Sequence, residues 1–111
     1  MSLAVQRAEF FEEDFANQFT WYSNQADEDV AWRFQAALAE SLRKLAQQPD
    51  LGRVRHFRHP KLHGLCSWPV EKPFDKILIF YRVERNSLHA VRLIHGARDL
   101  PRRLLEPPRA G

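Results

Sequence analysis

The chain has 111 residues, is 44% hydrophobic, carries a formal net charge of +3 and contains one cysteine, Cys66. That length suits one domain over residues 1–111 and leaves no room for two; the lone thiol excludes an intramolecular disulfide and suits a reducing compartment. No stretch has the apolar length that crosses a bilayer, and residues 1–9 hold no apolar run long enough for a signal peptide, so a cytoplasmic location is expected.

The charge is unevenly spread. Residues 1–50 carry four basic against nine acidic side chains, a balance of −5, whereas residues 51–111 carry thirteen against five, a balance of +8. A split of this size suggests that one face meets a polyanion or an acidic partner.

A strand is expected at Leu3–Arg7. Phe11, Phe15, Phe19 and Tyr22 then recur at steps of four, four and three, which lines one face of a helix from Glu9 to Gln25. Glu12, Glu13 and Asp14 fall towards its start, where the helix dipole favours negative charge. Asp27 suits an N-cap, and Val30, Phe34, Ala37, Leu38, Ser41, Leu42 and Leu45 form the apolar stripe of a second helix. Pro49 and Gly52 end it near Gln48. The period changes in the second half. Leu62–Val70, Asp75–Val83 and Ser87–His95 read as strands, with Glu71–Phe74 and Glu84–Asn86 as hairpin loops. The middle run is apolar on both faces, Ile77, Ile79, Tyr81 and Val83 against Leu78, Phe80 and Arg82, so a central strand is expected there. In the last run His89, Val91, Leu93 and His95 alternate with Leu88, Ala90, Arg92 and Ile94. The fold class that follows is α+β: an N-terminal strand and an antiparallel helical hairpin packed on an antiparallel β-sheet, order β-α-α-β-β-β, with a short C-terminal tail, in two layers.

Three pieces of this chain resemble the ParE/RelE superfamily of toxins from type II toxin–antitoxin systems: Leu45-x-x-x-Pro49-x-x-Gly52, Ile79-Phe80-Tyr81-Arg82, and Ile94-His95-Gly96-Ala97-Arg98-Asp99. They look closest to the ParE-like branch of plasmid stabilisation proteins. The resemblance implies a bacterial growth-arresting toxin that poisons DNA gyrase without performing covalent chemistry or needing a cofactor. It also implies neutralisation by a cognate antitoxin whose C-terminal segment wraps the toxin. The alternative within the superfamily is a ribosome-dependent endoribonuclease acting on mRNA, here with Arg82, Arg92 and His95 around the scissile phosphate. A third reading is an attenuated, non-toxic binding member. Cys66 stands where the family commonly has arginine, and no tyrosine lies beyond the last strand. In the tail Glu106 is the only general acid or base.

The target-binding candidates are Arg82, Arg92, His95, Arg98, Arg102 and Arg103. Arg82 and Arg92 sit on neighbouring strands, where paired guanidiniums suit an anion; alternatively, each pairs with Glu84 or Glu71. Gly96 supplies an unusual backbone angle, and Arg98 grips a partner or pairs with Asp99. Trp21 and Trp32 lie off the main apolar stripes and are candidates for an antitoxin contact, a contact with a second copy in a homo-oligomer, or a widened core. His56, His59 and His63 invite zinc, but Arg53, Arg55, Arg58 and Lys61 interleave them and repel a cation. A basic loop that touches a polyanion or stays in solvent is the expectation, with no metal. Cys66 is expected to be a buried, inert thiol and Trp68 a core residue.

Overall fold

The computed structural model describes residues 2–109. Strand β1 (Ala4–Arg7) leads into helix α1 (Glu9–Gln25) and helix α2 (Glu28–Gln47). Strands β2 (Arg53–Val54), β3 (Cys66–Pro69), β4 (Ile77–Glu84) and β5 (Ser87–His95) follow, and helix α3 (Leu100–Leu105) closes the fold. The spatial strand order is β1-β5-β4-β3-β2. The sheet is mixed rather than antiparallel throughout, because β1 runs parallel to β5 while the other pairs are antiparallel. The helical hairpin that separates β1 from the rest supplies the crossover a parallel pair requires.

Both helices form where the apolar spacing places them. Asp27 caps α2 by accepting from the Val30 N–H at 2.9 Å. Phe34, Leu38, Leu42 and Leu45 of α2 and Phe11 of α1 pack on Ile77, Ile79, Tyr81, Leu88, Ala90 and Leu93. Phe74, expected in a loop, turns into this core and meets the rings of Tyr22 and Phe34 at 5.4 and 5.5 Å. Ser41 ties the same loop to α2: its hydroxyl donates to Ala37 O at 2.8 Å and accepts from Glu71 N–H at 2.9 Å. Trp68 is half-buried against this core.

The sheet's other face is not bare, which adds to the expected two layers. Leu62, Leu65, Phe80, Ile94, Leu100 and Leu104 make a second, smaller cluster there. The expected strand Leu62–Val70 is accordingly shorter. A 3-10 turn at Pro60–Leu62 and Gly64 at φ +81° bend the chain over the sheet before β3 begins at Cys66. The tail likewise is not irregular throughout, since Leu100 and Leu104 fold it into α3 over this cluster.

Two local devices set the register. Arg85 and Asn86, both at positive φ, make a two-residue turn whose twist matches the β4–β5 hairpin. Further along, Phe80 pairs with Arg92 but Tyr81 pairs with Ala90, so Val91 is an extra residue, a β-bulge. The bulge breaks the expected alternation of β5. Leu88, Ala90 and Leu93 reach the helix-side core, whereas Val91 and Ile94 reach the opposite cluster.

The Pro49–Gly52 turn and the central strand are locked together. The Tyr81 hydroxyl donates to Pro49 O at 2.6 Å and accepts from Gly52 N–H at 3.1 Å. A Cβ on Gly52 would stand 2.1 Å from that oxygen. Burial, with Cys66 alongside, pushes the Tyr81 hydroxyl from 10.0 to about 12, against the opposing pull of the Gly52 N–H. The unfolded chain therefore releases this proton first as pH climbs. Stability from the neutral hydroxyl is full below 10 and is lost as pH rises towards about 12.

Denaturant unfolding at neutral pH should show a loss of about 1 kcal/mol for Tyr81→Phe. Gly52→Ala should cost more, about 1–3 kcal/mol, because a core side chain must shift. Between 10 and about 12 the wild type should lose stability more steeply than Tyr81→Phe. Parallel alkaline slopes would contradict the assignment.

Candidate functional site

β1 ends at Arg7, opposite Ala90, so the outer edge of β5 is unpaired from Val91 onward. Helix α1 passes along this edge, and Asp14 fills it. Its carboxylate accepts from the Leu93 N–H at 2.9 Å and pairs with the Arg92 guanidinium at 2.7 and 3.1 Å. The two side chains are only 5% and 8% exposed. Arg92 Nη1 also donates to the carbonyls of Arg103, Leu104 and Glu106 at 3.0, 3.3 and 2.6 Å. Those carbonyls lie at the C-terminal end of α3, where a cation offsets the helix dipole. One buried cation thus joins α1, β5 and α3.

Between these three elements lies a cleft of about 550 Å3. Asn17, Gln18 and Trp21 of α1 form one wall, and His95, Arg102 and Arg103 form the other. The tail crosses one end, where the Asn17 amide donates to Arg109 O at 2.7 Å. Arg103 clasps the β5–α3 loop by donating to His95 O at 2.7 Å and Arg98 O at 3.3 Å. Arg102 pairs with Glu106 at 3.1 Å and Asp99 at 3.5 Å, and Glu106 beside it raises its pKa. Arg109 shares Glu106 at 3.5 Å. The two carboxylates of the cleft, Asp14 and Glu106, are thus already engaged. Among the described residues Arg103 has no carboxylate within ion-pair distance, and His95 is exposed. The cleft has a cationic rim and, in Trp21 at 51% exposure, an apolar wall.

The structure sorts the sequence candidates. His95, Arg102 and Arg103 come together in the cleft, and Trp21 joins them. Arg92 borders it but is itself buried and fully engaged. Arg82 does not meet Arg92, and neither pairs with Glu84 or Glu71. Arg82 instead donates to the carbonyls of His63, at 3.0 Å, and Lys61. Arg82, Arg92 and His95 therefore do not converge on one point as a ribonuclease site would require. Arg98 is exposed and is not the partner of Asp99, which faces Arg102. Gly96 does take a positive φ, +84°.

Trp32 lies elsewhere. It stacks edge-on against Phe19 at 5.1 Å, and Phe19 and Trp21, two positions apart, point about 200° from each other around α1. His59 and His63 make backbone contacts, with Lys61 N–H and Arg58 O, and no group able to hold a metal occurs among the described residues. Cys66 is half-buried rather than buried, and its thiol is pushed up by that burial.

Asp14 was legible only as one of three acids, with Glu12 and Glu13, towards the start of α1. The stronger signal was Arg92 itself, a charge among Val91, Leu93 and Ile94, because a buried cation demands a buried partner.

The family model for the ParE toxin of the type II toxin–antitoxin system parDE matches residues 5–100. The chain belongs to the ParE toxin family. A solved structure described as the chromosomal ParDE TA system from P. aeruginosa has the same fold, with a TM-score of 0.69 at 14% identity over 86% of this chain and 98% of that one. No curated protein matches the sequence significantly. Among the described residues no helix of this ParE-family chain is long and apolar enough to cross a membrane. The family match ends at Leu100, so most of α3 and the tail, which complete the cleft, lie beyond it.

Asp14→Asn should destabilise the fold by about 3–5 kcal/mol, because it leaves a buried guanidinium without a counter-charge. Replacing both partners together, Asp14→Leu with Arg92→Met, should recover much of that loss. Denaturant unfolding of the three variants measures this, and a cost under about 1 kcal/mol for Asp14→Asn would contradict the tie.

Proposed function

We propose that this ParE-family toxin arrests bacterial growth by poisoning DNA gyrase stoichiometrically, and that its antitoxin neutralises it by filling the cleft between α1, β5 and α3. The observation that carries the reading is the juxtaposition of Trp21 with His95, Arg102 and Arg103 in one cleft. A contact of this make-up fits a partner segment with an apolar side chain beside carboxylates: aromatic and arginine side chains dominate tight interfaces, and opposite charges steer the encounter.

Family membership implies a cognate antitoxin as partner. Trp21 supplies its contact inside the cleft, and Trp32, on α2 against Phe19, supplies a second outside it. A segment touching both must cross the helical hairpin, which matches a wrapping mode. The target contacts are the exposed His95, Arg98 and Arg102 with Arg103, while Arg92 holds α3 beneath them and Arg82 braces the Lys61–His63 loop. Target and antitoxin then compete for the same cations. No covalent step is needed. The +8 balance of the second half supports a shared cationic docking surface, because all thirteen of those cations lie outside the helical hairpin.

The test is pulse-labelling of DNA and protein synthesis just after induction in bacteria lacking the antitoxin. DNA synthesis should fall first; protein synthesis collapsing first would overturn the gyrase reading. Trp21→Ala should weaken antitoxin binding by about 2 kcal/mol, roughly thirtyfold in Kd, measured by titration calorimetry. Unchanged affinity would place the antitoxin outside the cleft.

A further inference from the structure

The cations of this molecule divide into two populations. Those of the first half are all neutralised: Arg7 by Glu12, Arg33 by Asp29, Arg43 by Glu40 and Lys44 by Glu71. Between Asp50 and Glu71 the chain has no acidic residue but carries Arg53, Arg55, Arg58 and Lys61. Among the described residues none of these four, nor Arg82, has a carboxylate within ion-pair distance, and Glu71, the next acid along the chain, is held by Lys44 at 2.6 Å.

The fold then brings Arg53, Arg55 and Arg82 to one face of the sheet and sets Arg58 and Lys61 in the loop that Arg82 and His63 hold there. β2 sets Arg53 opposite Ser67, and Ser67 pairs with Phe80, whose ring belongs to the cluster on the sheet face away from the helical hairpin. Arg55 lies on that face too. Its Nε donates to the Ser67 hydroxyl at 2.8 Å, and its guanidinium sits 5.8 Å above the Phe80 ring. Arg82 reaches over from β4 and fixes the loop by donating to His63 O at 3.0 Å and to Lys61 O. Burial and the neighbouring Arg53 push the Arg55 pKa down, so its charge is held at a cost that an arriving anion would relieve.

We infer that this β2–β3 end of the sheet, with Arg53, Arg55, Arg58 and Lys61, is a docking surface for the phosphate backbone of duplex DNA, separate from the cleft. Lysine and arginine side chains without local counter-ions are what a polyanion recruits, by displacing condensed counterions. Duplex is favoured over single strand because bases are held by aromatic stacking. The exposed aromatic residues, Phe10, Trp21 and Trp32, all lie on the helical hairpin, and Phe57, within the basic segment, is half-buried against the second cluster. The choice of DNA over RNA rests on the gyrase reading: a toxin that grips the DNA beside the enzyme would be concentrated at its target.

The test uses the purified chain, a short random-sequence DNA duplex and no gyrase, so its outcome is independent of the poisoning experiment. Fluorescence anisotropy across a salt series should give log Kobs falling with log salt at a slope of about −4, near 0.9 per phosphate contact. Arg53→Gln and Arg58→Gln, both at exposed positions, should each reduce the slope by about 0.9, with unchanged thermal melts. Arg102→Gln, in the cleft, should leave the slope as it is. An unchanged slope in Arg53→Gln and Arg58→Gln would overturn the site. So would an equal loss in Arg102→Gln, which would mean diffuse attraction to the whole cationic half. Tighter binding of single-stranded DNA or duplex RNA would overturn the choice of ligand.

Discussion

Asp14 and Arg92, 78 residues apart in the chain, meet almost out of solvent. Taking both charges from water costs several kcal/mol each, and the pair is tolerable only because every remaining polar need is met on the spot. Asp14 takes the Leu93 N–H that β1 is too short to cover, and Arg92 takes three carbonyls at the end of α3. Without the pair, β5 would carry an open edge and α3 would be left with the packing of Leu100 and Leu104 and the Arg103 clasp on its own preceding loop. A six-residue helix is too short to persist by itself, so its place in the fold depends on this tie. The cleft is what α3, held there, encloses with α1.

The bulge at Val91 belongs to the same arrangement. By shifting the phase of β5 it lets Leu93 face the helix-side core while Arg92 and Ile94 serve the α3 side. A strand with unbroken alternation could not satisfy both cores and also aim its one buried cation at the helix C-terminus. On the neighbouring strand β4, the Tyr81 hydroxyl binds the turn after α2 to the centre of the sheet. That fixes where β2 begins and hence where Arg53 and Arg55 emerge. Two polar anchors, on the neighbouring strands β5 and β4 but reaching to α3 and to the turn after α2, thereby position the two cationic surfaces.

Much of this was readable from residue order. The helices follow from Phe11, Phe15 and Tyr22 and from the Phe34–Leu45 stripe, and the three hairpin strands follow from their β-branched and aromatic runs. The Pro49–Gly52 and Tyr81 pieces were visible as separate motifs, but only the fold reveals that they touch. What stayed hidden was non-local. Pairing of Asp14 with Arg92, the parallel docking of β1 and the capture of Phe74 by Tyr22 and Phe34 depend on chain crossings that no local period encodes. The site was half legible. Cationic residues near the last strand drew notice by type, but type could not separate buried Arg92 from exposed His95 and Arg102, nor bring Trp21 across to them.

The most direct measurement is a plasmid cleavage assay with purified gyrase and increasing amounts of this chain. Linear DNA should accumulate on denaturing the protein, in proportion to toxin added, and Arg102→Gln should reduce the yield at equal concentration. Supercoiling that proceeds unaltered in the presence of excess soluble toxin would contradict gyrase as the target of this cleft.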